Sequence, residues 1–326
     1  MLLIPAVASA QALTVPPLVV GQPAALAVTG ASPGAQVAWY ASLAGPGAGP
    51  CAGAVCLGLA SPIQVLGTTL ADGSGSASLT LVVPDNAPIG PVSLQAGAMS
   101  GPVGARRIEL TQVVDTEVLP LSSLSDDFES GVLGPAWTVL HPQLATISFV
   151  NGSLRIVPTA AGLPSIWYQD GEGPLVSQRI RGDFTVTTRA LAHDPSGAAP
   201  PVSYRLGGIT VRNPDDTAPG THDFVHLAVG AGDPGHAFAV EHKITVDSQS
   251  SYAFDSVPFG PVDLRIVRIG DVFELSFKLP ADASWTSSAT YVVPQMPATV
   301  EVGLMAYANA SPIDLQVDFD AFDLSP

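Results

Sequence analysis

Asp126-Asp127-Phe128-Glu129, then Trp137, then Asn151-Gly152-Ser153-Leu154-Arg155-Ile156-Val157 open the part of the chain whose reading decides the fold. From there to Pro326 apolar residues recur at every second position in short segments, the spacing of a strand with one buried face. Phe184 to Ala190 alternates in this way, as do Tyr204 to Arg212, Phe224 to Val229 and Phe238 to Val246. Gly270-Asp271 separates Leu264–Ile269 from Val272–Leu279 and predicts a tight hairpin. In its second arm Phe273, Leu275, Phe277 and Leu279 share one face, and Glu274, Ser276 and Lys278 the other. Strands at Ala298–Tyr307 and Asp314–Phe322 complete about ten to twelve, and no stretch sustains a 3.6-residue period. An all-β antiparallel sandwich over 122–326 is the economical fold.

Upstream the pattern changes. Residues 13–114 hold roughly seven shorter apolar segments, from Ala24–Val28 to Arg107–Val113, cut by Gly30 to Gly34, Asp72-Gly73-Ser74-Gly75 and Pro84-Asp85-Asn86. This is the outline of an immunoglobulin-like β-sandwich, with Trp39 in its core and Tyr40 on the opposite face. Residues 115–121, within the aperiodic Asp115 to Ser125, read as the linker between two domains.

Charge divides the chain at the same place. The net formal charge is −16, and residues 1–112 hold only Arg106 and Arg107 against Asp72, Asp85 and Glu109, a net of −1. The rest carries ten basic against 25 acidic residues, a net of −15. Nucleic acid is excluded as a partner, because phosphate binding requires clustered Lys and Arg. Acidity of this kind suits calcium or a neutral, hydroxyl-rich ligand. No apolar run approaches the roughly 20 residues of a transmembrane segment.

Residues 1–12, MLLIPAVASAQA, read as the end of a secretory signal peptide without its positive region, cleaved after Ala12, the start codon being placed too late. A plain apolar terminus is the other reading. Export makes Cys51 and Cys56, the chain's two cysteines, a small-loop disulfide rather than a metal site.

Two resemblances add to this. The motifs quoted above, with Arg181-Gly182-Asp183-Phe184, Gly207-Gly208-Ile209-Thr210-Val211-Arg212, Leu264-Arg265-Ile266, Ser284-Trp285-Thr286, Val302-Gly303-Leu304-Met305 and Val317-Asp318-Phe319-Asp320-Ala321-Phe322, together resemble the concanavalin A-like lectin/glucanase superfamily, nearest to its small bacterial domains without assigned activity. That resemblance implies a jelly roll of two stacked sheets, one concave and often used for carbohydrate. The front segment, with Leu66-Gly67-Thr68-Thr69-Leu70-Ala71-Asp72-Gly73-Ser74-Gly75, resembles Ig-like modules of secreted Gram-negative bacterial proteins and implies a spacer or docking module.

Glucanases of this superfamily carry E-x-D-x-E or a one-residue variant on one strand, so that paired carboxylates face the substrate. The chain lacks it: Glu241 is followed by His242 and Lys243, and Glu274 and Glu301 stand alone. G-x-S-x-G and H-E-x-x-H are absent too. His222 and His226, four apart on a strand, lie about 13 Å apart and cannot share an ion.

These readings predict a secreted or cell-surface, non-catalytic protein that binds extracellular polysaccharide or cell-surface glycan on the concave face. Arg212, His226 and Glu241 are its polar groups, and Trp167, Tyr168 and Trp285 its stacking aromatics. Cross-strand pairing of Arg212 with Glu241 is the plainer reading of those two charges. The alternatives are a surface adhesion or structural protein with partners on the Ig-like domain, and a divergent glycosidase or lyase. Asp126, Asp127, Asp318 and Asp320 are candidate ligands of a structural calcium, and the resemblance adds the backbone of Gly152. The other reading of these acids is a solvated, protected sheet edge.

Overall fold

A computed structural model of the chain describes residues 11–102, 105–159, 166–309 and 314–326. The leader reading therefore falls, over residues 1–10, outside the described residues. The chain forms two units, Met1–Ser123 and Leu124–Pro326, both built of strands.

In the first unit β1 (Ala12–Thr14), β2 (Leu18–Val19), β3 (Pro23–Thr29) and β4 (Gln36–Ser42) are followed by a two-rung ladder of β5 (Cys51–Ala52) and β6 (Val55–Cys56). Then come β7 (Gln64–Leu70), β8 (Ala77–Val82), β9 (Gly90–Ser100), β10 (Arg107–Leu110) and β11 (Val114–Leu119). One sheet runs β1-β3-β8 and the other β2-β11-β9-β4-β7, with β10 on β9. Leu26, Val28, Val37 and Trp39 fill the space between them, and the Trp39 indole donates to Thr69 Oγ1 at 3.1 Å. The segment read as a linker is mostly β11, which pairs with β9 and, in parallel, with β2. Val118 faces the core from it. A single buried residue in six left too little pattern to read as a strand. Cys51 and Cys56 are disulfide-bonded.

The second unit begins with β12 (Thr138–Leu140), β13 (Ala145–Val150), β14 (Ser153–Pro158), β15 (Leu175–Arg181), β16 (Phe184–His193), β17 (Arg205–Arg212) and β18 (Phe224–Ala231). It continues through β19 (Ala239–Val246), β20 (Gln249–Ser256), β21 (Val262–Ile269), β22 (Val272–Lys278), β23 (Thr286–Val292), β24 (Thr299–Ala308), β25 (Gln316–Phe319) and β26 (Asp323–Ser325). Seven strands in the order β12-β15-β24-β17-β18-β19-β20 form one sheet. The other runs β13-β14-β25-β16-β21-β22-β23, with β26 on β16. Gly270-Asp271 makes the expected hairpin, with Gly270 at φ 58° as a primed turn requires. The unit's first segment is tied to its last: the backbones of Asp126 and Phe322 exchange both hydrogen bonds, at 2.8 and 2.9 Å.

One departure from the sandwich pattern locates the site. A sheet with one solvated face alternates buried and exposed residues, yet β17 and β18 are buried at every position. Ile209, Val211, Val225 and Leu227 face the opposing sheet, as does Gly207, where a Cβ would sit 2.6 Å from Val317. On the outer face, Phe224, Leu206, Ala228 and Met305 are covered by Ile166 and Trp167 from the segment before β15.

Candidate functional site

Register places the outer-face residues in rows across the seven-stranded sheet. Gly303, Thr210, His226, Lys243 and Tyr252 form one row, and Met305, Gly208, Ala228, Glu241 and Phe254 the next. Tyr307 lies beyond the second row on β24. Gly208 and Ala228 are too small to stand between β24 and β19, so the Tyr307 ring reaches across and its hydroxyl donates to Glu241 Oε2 at 2.6 Å. Lys243 Nζ lies 3.0 Å from Glu241 Oε1 and 3.4 Å from the Tyr307 hydroxyl. His226 Nε2 is 3.6 Å from Glu241 Oε2, and its Nδ1 is 3.1 Å from Thr210 Oγ1.

All of this is buried, Glu241 at 1% exposure and Lys243 at 3%. A carboxylate taken from water needs a paired cation and hydrogen bonds to stay charged, and Lys243 and Tyr307 supply them. Burial pushes the Tyr307 hydroxyl well above its usual range, with the Glu241 charge acting in the same sense. Burial, then Lys243, pulls the His226 imidazole well below its usual value, so it is neutral. Its Nε2 has no hydrogen-bond partner among the described residues. Glu241, Lys243 and Tyr307 open onto a cavity of about 160 Å³ completed by Tyr168, Tyr204, Tyr252 and Asn309. Among the described residues Asn309 Oδ1 also lacks a partner. The ion pair leaves the cavity electrically balanced, and four tyrosines give it aromatic walls and hydroxyls, the lining that suits an uncharged polyol.

A second polar cluster lies on the same face. Arg212 donates to Glu301 Oε2 at 2.7 Å and to Glu172 Oε1 at 2.5 Å. Glu172 also meets His141 at 2.8 Å and His222 at 3.5 Å. Two carboxylates held by one guanidinium lie closer together than about 9.5 Å, the wide end of the spacing that inverting glycosidases use.

Several expected site residues fall elsewhere. Arg212, His226 and Glu241 do share the outer face, but Arg212 pairs with Glu172 and Glu301, and Glu241 with Lys243. Trp167 is no stacking platform: it is fully buried against Phe224, with ring centroids 5.6 Å apart, and its carbonyl accepts from Lys243 at 3.0 Å. Tyr168 keeps a place on the cavity wall. Trp285 belongs to the other sheet, with the Arg265 guanidinium 4.3 Å and the Lys278 ammonium 5.3 Å from its ring. Tyr307, Glu301, Thr210, Glu172, Tyr204 and Asn309 were not singled out beforehand. A signal existed for two of them, because Glu301, Gly303, Met305 and Tyr307 alternate on one face of β24.

The acids proposed for calcium are engaged otherwise. Asp126 accepts the Trp137 indole at 2.8 Å and the Phe128 amide at 2.9 Å, and Asp127 accepts the Glu129 amide at 3.1 Å. Asp318 receives both arms of Arg155, at 2.6 and 2.7 Å, and Asp320 accepts Ser153 at 3.1 Å. The Glu129 carboxylate fills the space beside Gly152. Burial alone would raise the Asp318 carboxyl, but the Arg155 fork overrides it and leaves it below its usual value. Among the described residues no three His, Cys, Asp or Glu side chains converge as a metal cradle. These residues do not fit the ion, because a guanidinium already occupies the carboxylate it would need most. The expected result is a melting temperature unmoved by EDTA or added calcium. A chelator-induced drop of more than about 4 °C, near 1 kcal/mol for a unit this size, would restore the metal.

His226 sets a pH dependence. Its folded-state pKa lies below its unfolded value of about 6.5, so the unfolded chain binds the extra proton and stability falls as pH drops below about 6.5. Thermal melts of the full chain between pH 7.5 and 5 are expected to show that fall, and His226→Gln to flatten it. An equal slope in both proteins would refute the assignment.

No known protein family matches the chain, and none of the curated proteins matches it. Among solved structures it is similar to the GH43 BlXynB protein from Bacillus licheniformis, at 14% identity and TM-score 0.50, over 72% of this chain and 51% of that one. A xylan β-1,4-xylosidase from Bacillus halodurans is similar at 15% identity and TM-score 0.50, over 96% of this chain and 64% of that one. The chain thus spans between half and two-thirds of the length of these enzymes. Likeness at this level speaks for the fold alone, an all-β sandwich. The expectation of a non-catalytic binder and of a chain that is no enzyme is corrected by it, since the structures that the chain is similar to are those of a GH43 protein and a xylosidase. That expectation rested on the missing single-strand carboxylate motif. Here the acids and their partners come from β19, β24, β17 and the segment before β15, which no linear pattern displays.

Proposed function

We propose that the second unit is a glycosidase that acts on uncharged sugars, with its active site at the Tyr307–Glu241 couple. The observation that carries this reading is the 2.6 Å hydrogen bond from a buried tyrosine to a buried, lysine-paired glutamate on the wall of a cavity of about 160 Å³. At this couple the Glu241 carboxylate meets a phenol and an ammonium rather than a second carboxylate. The couple offers a nucleophile and a base in contact, the base oriented by a third group, Lys243.

In the first step the Tyr307 oxygen bonds to the anomeric carbon as the glycosidic C–O bond breaks. The phenol proton passes to Glu241 Oε2, and the leaving oxygen, on the opposite face of the sugar, takes its proton from solvent. In the second, water attacks the same carbon from the vacated face and gives its proton to solvent, the bond to Tyr307 breaks, and Glu241 returns its proton to the tyrosine. Two displacements retain the anomeric configuration. Lys243 steadies the charge that develops on both oxygens. The Cys51–Cys56 disulfide supports an extracytoplasmic setting, and no described helix is long and apolar enough to cross a membrane.

The test is release of monosaccharide from aryl glycosides and from xylan, arabinan and β-glucan, with Glu241→Gln alongside. Turnover by the native chain that falls at least about a hundredfold in the variant is expected. An equal rate in both proteins, or no turnover on any substrate, would remove the reading.

A further inference from the structure

The second unit carries another cavity, on the sheet that does not hold the Tyr307–Glu241 couple. β16 and β21 turn Val186, Ala190, Val262 and Leu264 into the core, so Thr187, Arg189 and Asp263, which alternate with them, stand on the outer face. They floor a cavity of about 300 Å³. One wall is Trp285, a partly exposed ring that starts just before β23 and crosses β22 and β21 to reach it. The ring is braced by the Arg265 guanidinium, 4.3 Å from its centre, and by the Lys278 ammonium at 5.3 Å. The other wall is the segment joining β25 to β26, on the far side of β16 from β21, with the exposed carboxylates of Asp320 and Asp323. Thr188 Oγ1 donates to the Ala321 carbonyl and the Asp320 amide to the Arg189 carbonyl, which fixes this wall to the floor.

We infer that this cavity is a second glycan site, which holds an uncharged polysaccharide without cleaving it. Its parts are those that a neutral, hydroxyl-rich chain requires, an aromatic ring on one side and fixed acceptor oxygens on the other. Charge decides against the other ligand classes. Arg189 and Lys278 are both paired with Asp263, at 2.7 and 3.6 Å, and Arg265 lies against the indole, so an anionic polymer would meet Asp320 and Asp323 with no cation turned toward it. A cationic ligand would meet a ring that two positive groups already occupy. The site is independent of the reaction proposed above: it lies on the opposite sheet, and a chain held there is held whether or not Tyr307 acts.

Affinity electrophoresis of the full chain through gels containing arabinoxylan, β-glucan or arabinan tests this, with Tyr307→Phe present throughout to prevent cleavage. The expected result is retardation by at least one of these neutral polymers, and an affinity lower by about tenfold or more when Trp285→Ala is added. Asp323→Lys changes an exposed side chain and is expected to weaken retention in the same way, so the inference does not hang on a variant that removes a packed ring. Retardation of both variants equal to that of the parent would place binding elsewhere and overturn the inference. Mobility unchanged by every neutral polymer, or retardation by polygalacturonate or chitosan alone, would overturn it too. None of these results bears on Tyr307, whose test is turnover.

Discussion

Tyr307→Phe is expected to lower kcat on any substrate the protein cleaves by at least about a thousandfold, the scale of losing a nucleophile whose function no neighbour can assume. The substitution removes one oxygen and keeps the ring that packs among Leu206, Phe224 and Met305, so the fold and melting temperature should hold to within a few degrees. Glu241 loses a donor at 2.6 Å but keeps Lys243 at 3.0 Å. The KM should change little, because the aromatic wall of the cavity remains. Glu241→Gln takes away the proton acceptor and leaves the tyrosine, and the two defects should not add, since the groups act as a unit. Additive losses in the double variant, measured by initial rates, would mean that the two residues work separately.

The second large effect is on stability. Arg212→Leu is expected to cost about 3–5 kcal/mol, because removing the shared cation leaves two largely buried carboxylates facing one another. In a unit of this size that lowers the melting temperature by roughly 10 °C. Adding Glu301→Gln to Arg212→Leu should restore part of the loss by removing one of the stranded charges, and Glu172→Gln should act similarly. Calorimetry on the three proteins decides it. A melting temperature for Arg212→Leu within about 2 °C of the native chain would show the network to be solvated rather than structural.

Much of this architecture was legible in the residues. Alternation in Phe184–Ala190, Tyr204–Arg212 and Phe273–Leu279, with the Gly270-Asp271 turn, was enough to set an antiparallel sandwich and to put Arg212, His226 and Glu241 on one face. Burial of that face was not legible. It depends on Trp167, which reads as an exposed loop aromatic because nothing local says that its segment folds back over β17 and β18. The partners failed for a related reason. Arg212 and Glu301 are 89 residues apart, and Glu241 and Tyr307 are 66 apart, so sheet order rather than sequence spacing brings them together. The strand Val114–Leu119 was hidden by its position, since a sheet strand with only Val118 turned into the core shows no period. The calcium reading placed the acids at the right ends of the chain but could not see Arg155, which pairs with Asp318 across β14 and β25.

In the proposed reaction Tyr307 forms a bond to the sugar, with Glu241 moving its proton. Intact-mass spectrometry after incubation with 2-deoxy-2-fluoro glycosyl fluorides, followed by peptide mapping, tests it most directly, because such substrates allow the first displacement and stall the second. One added glycosyl mass per chain is expected, located on Tyr307 and missing in Tyr307→Phe. An adduct on a carboxylate such as Glu172 or Glu301, or turnover that proceeds with inversion and no adduct, would contradict it.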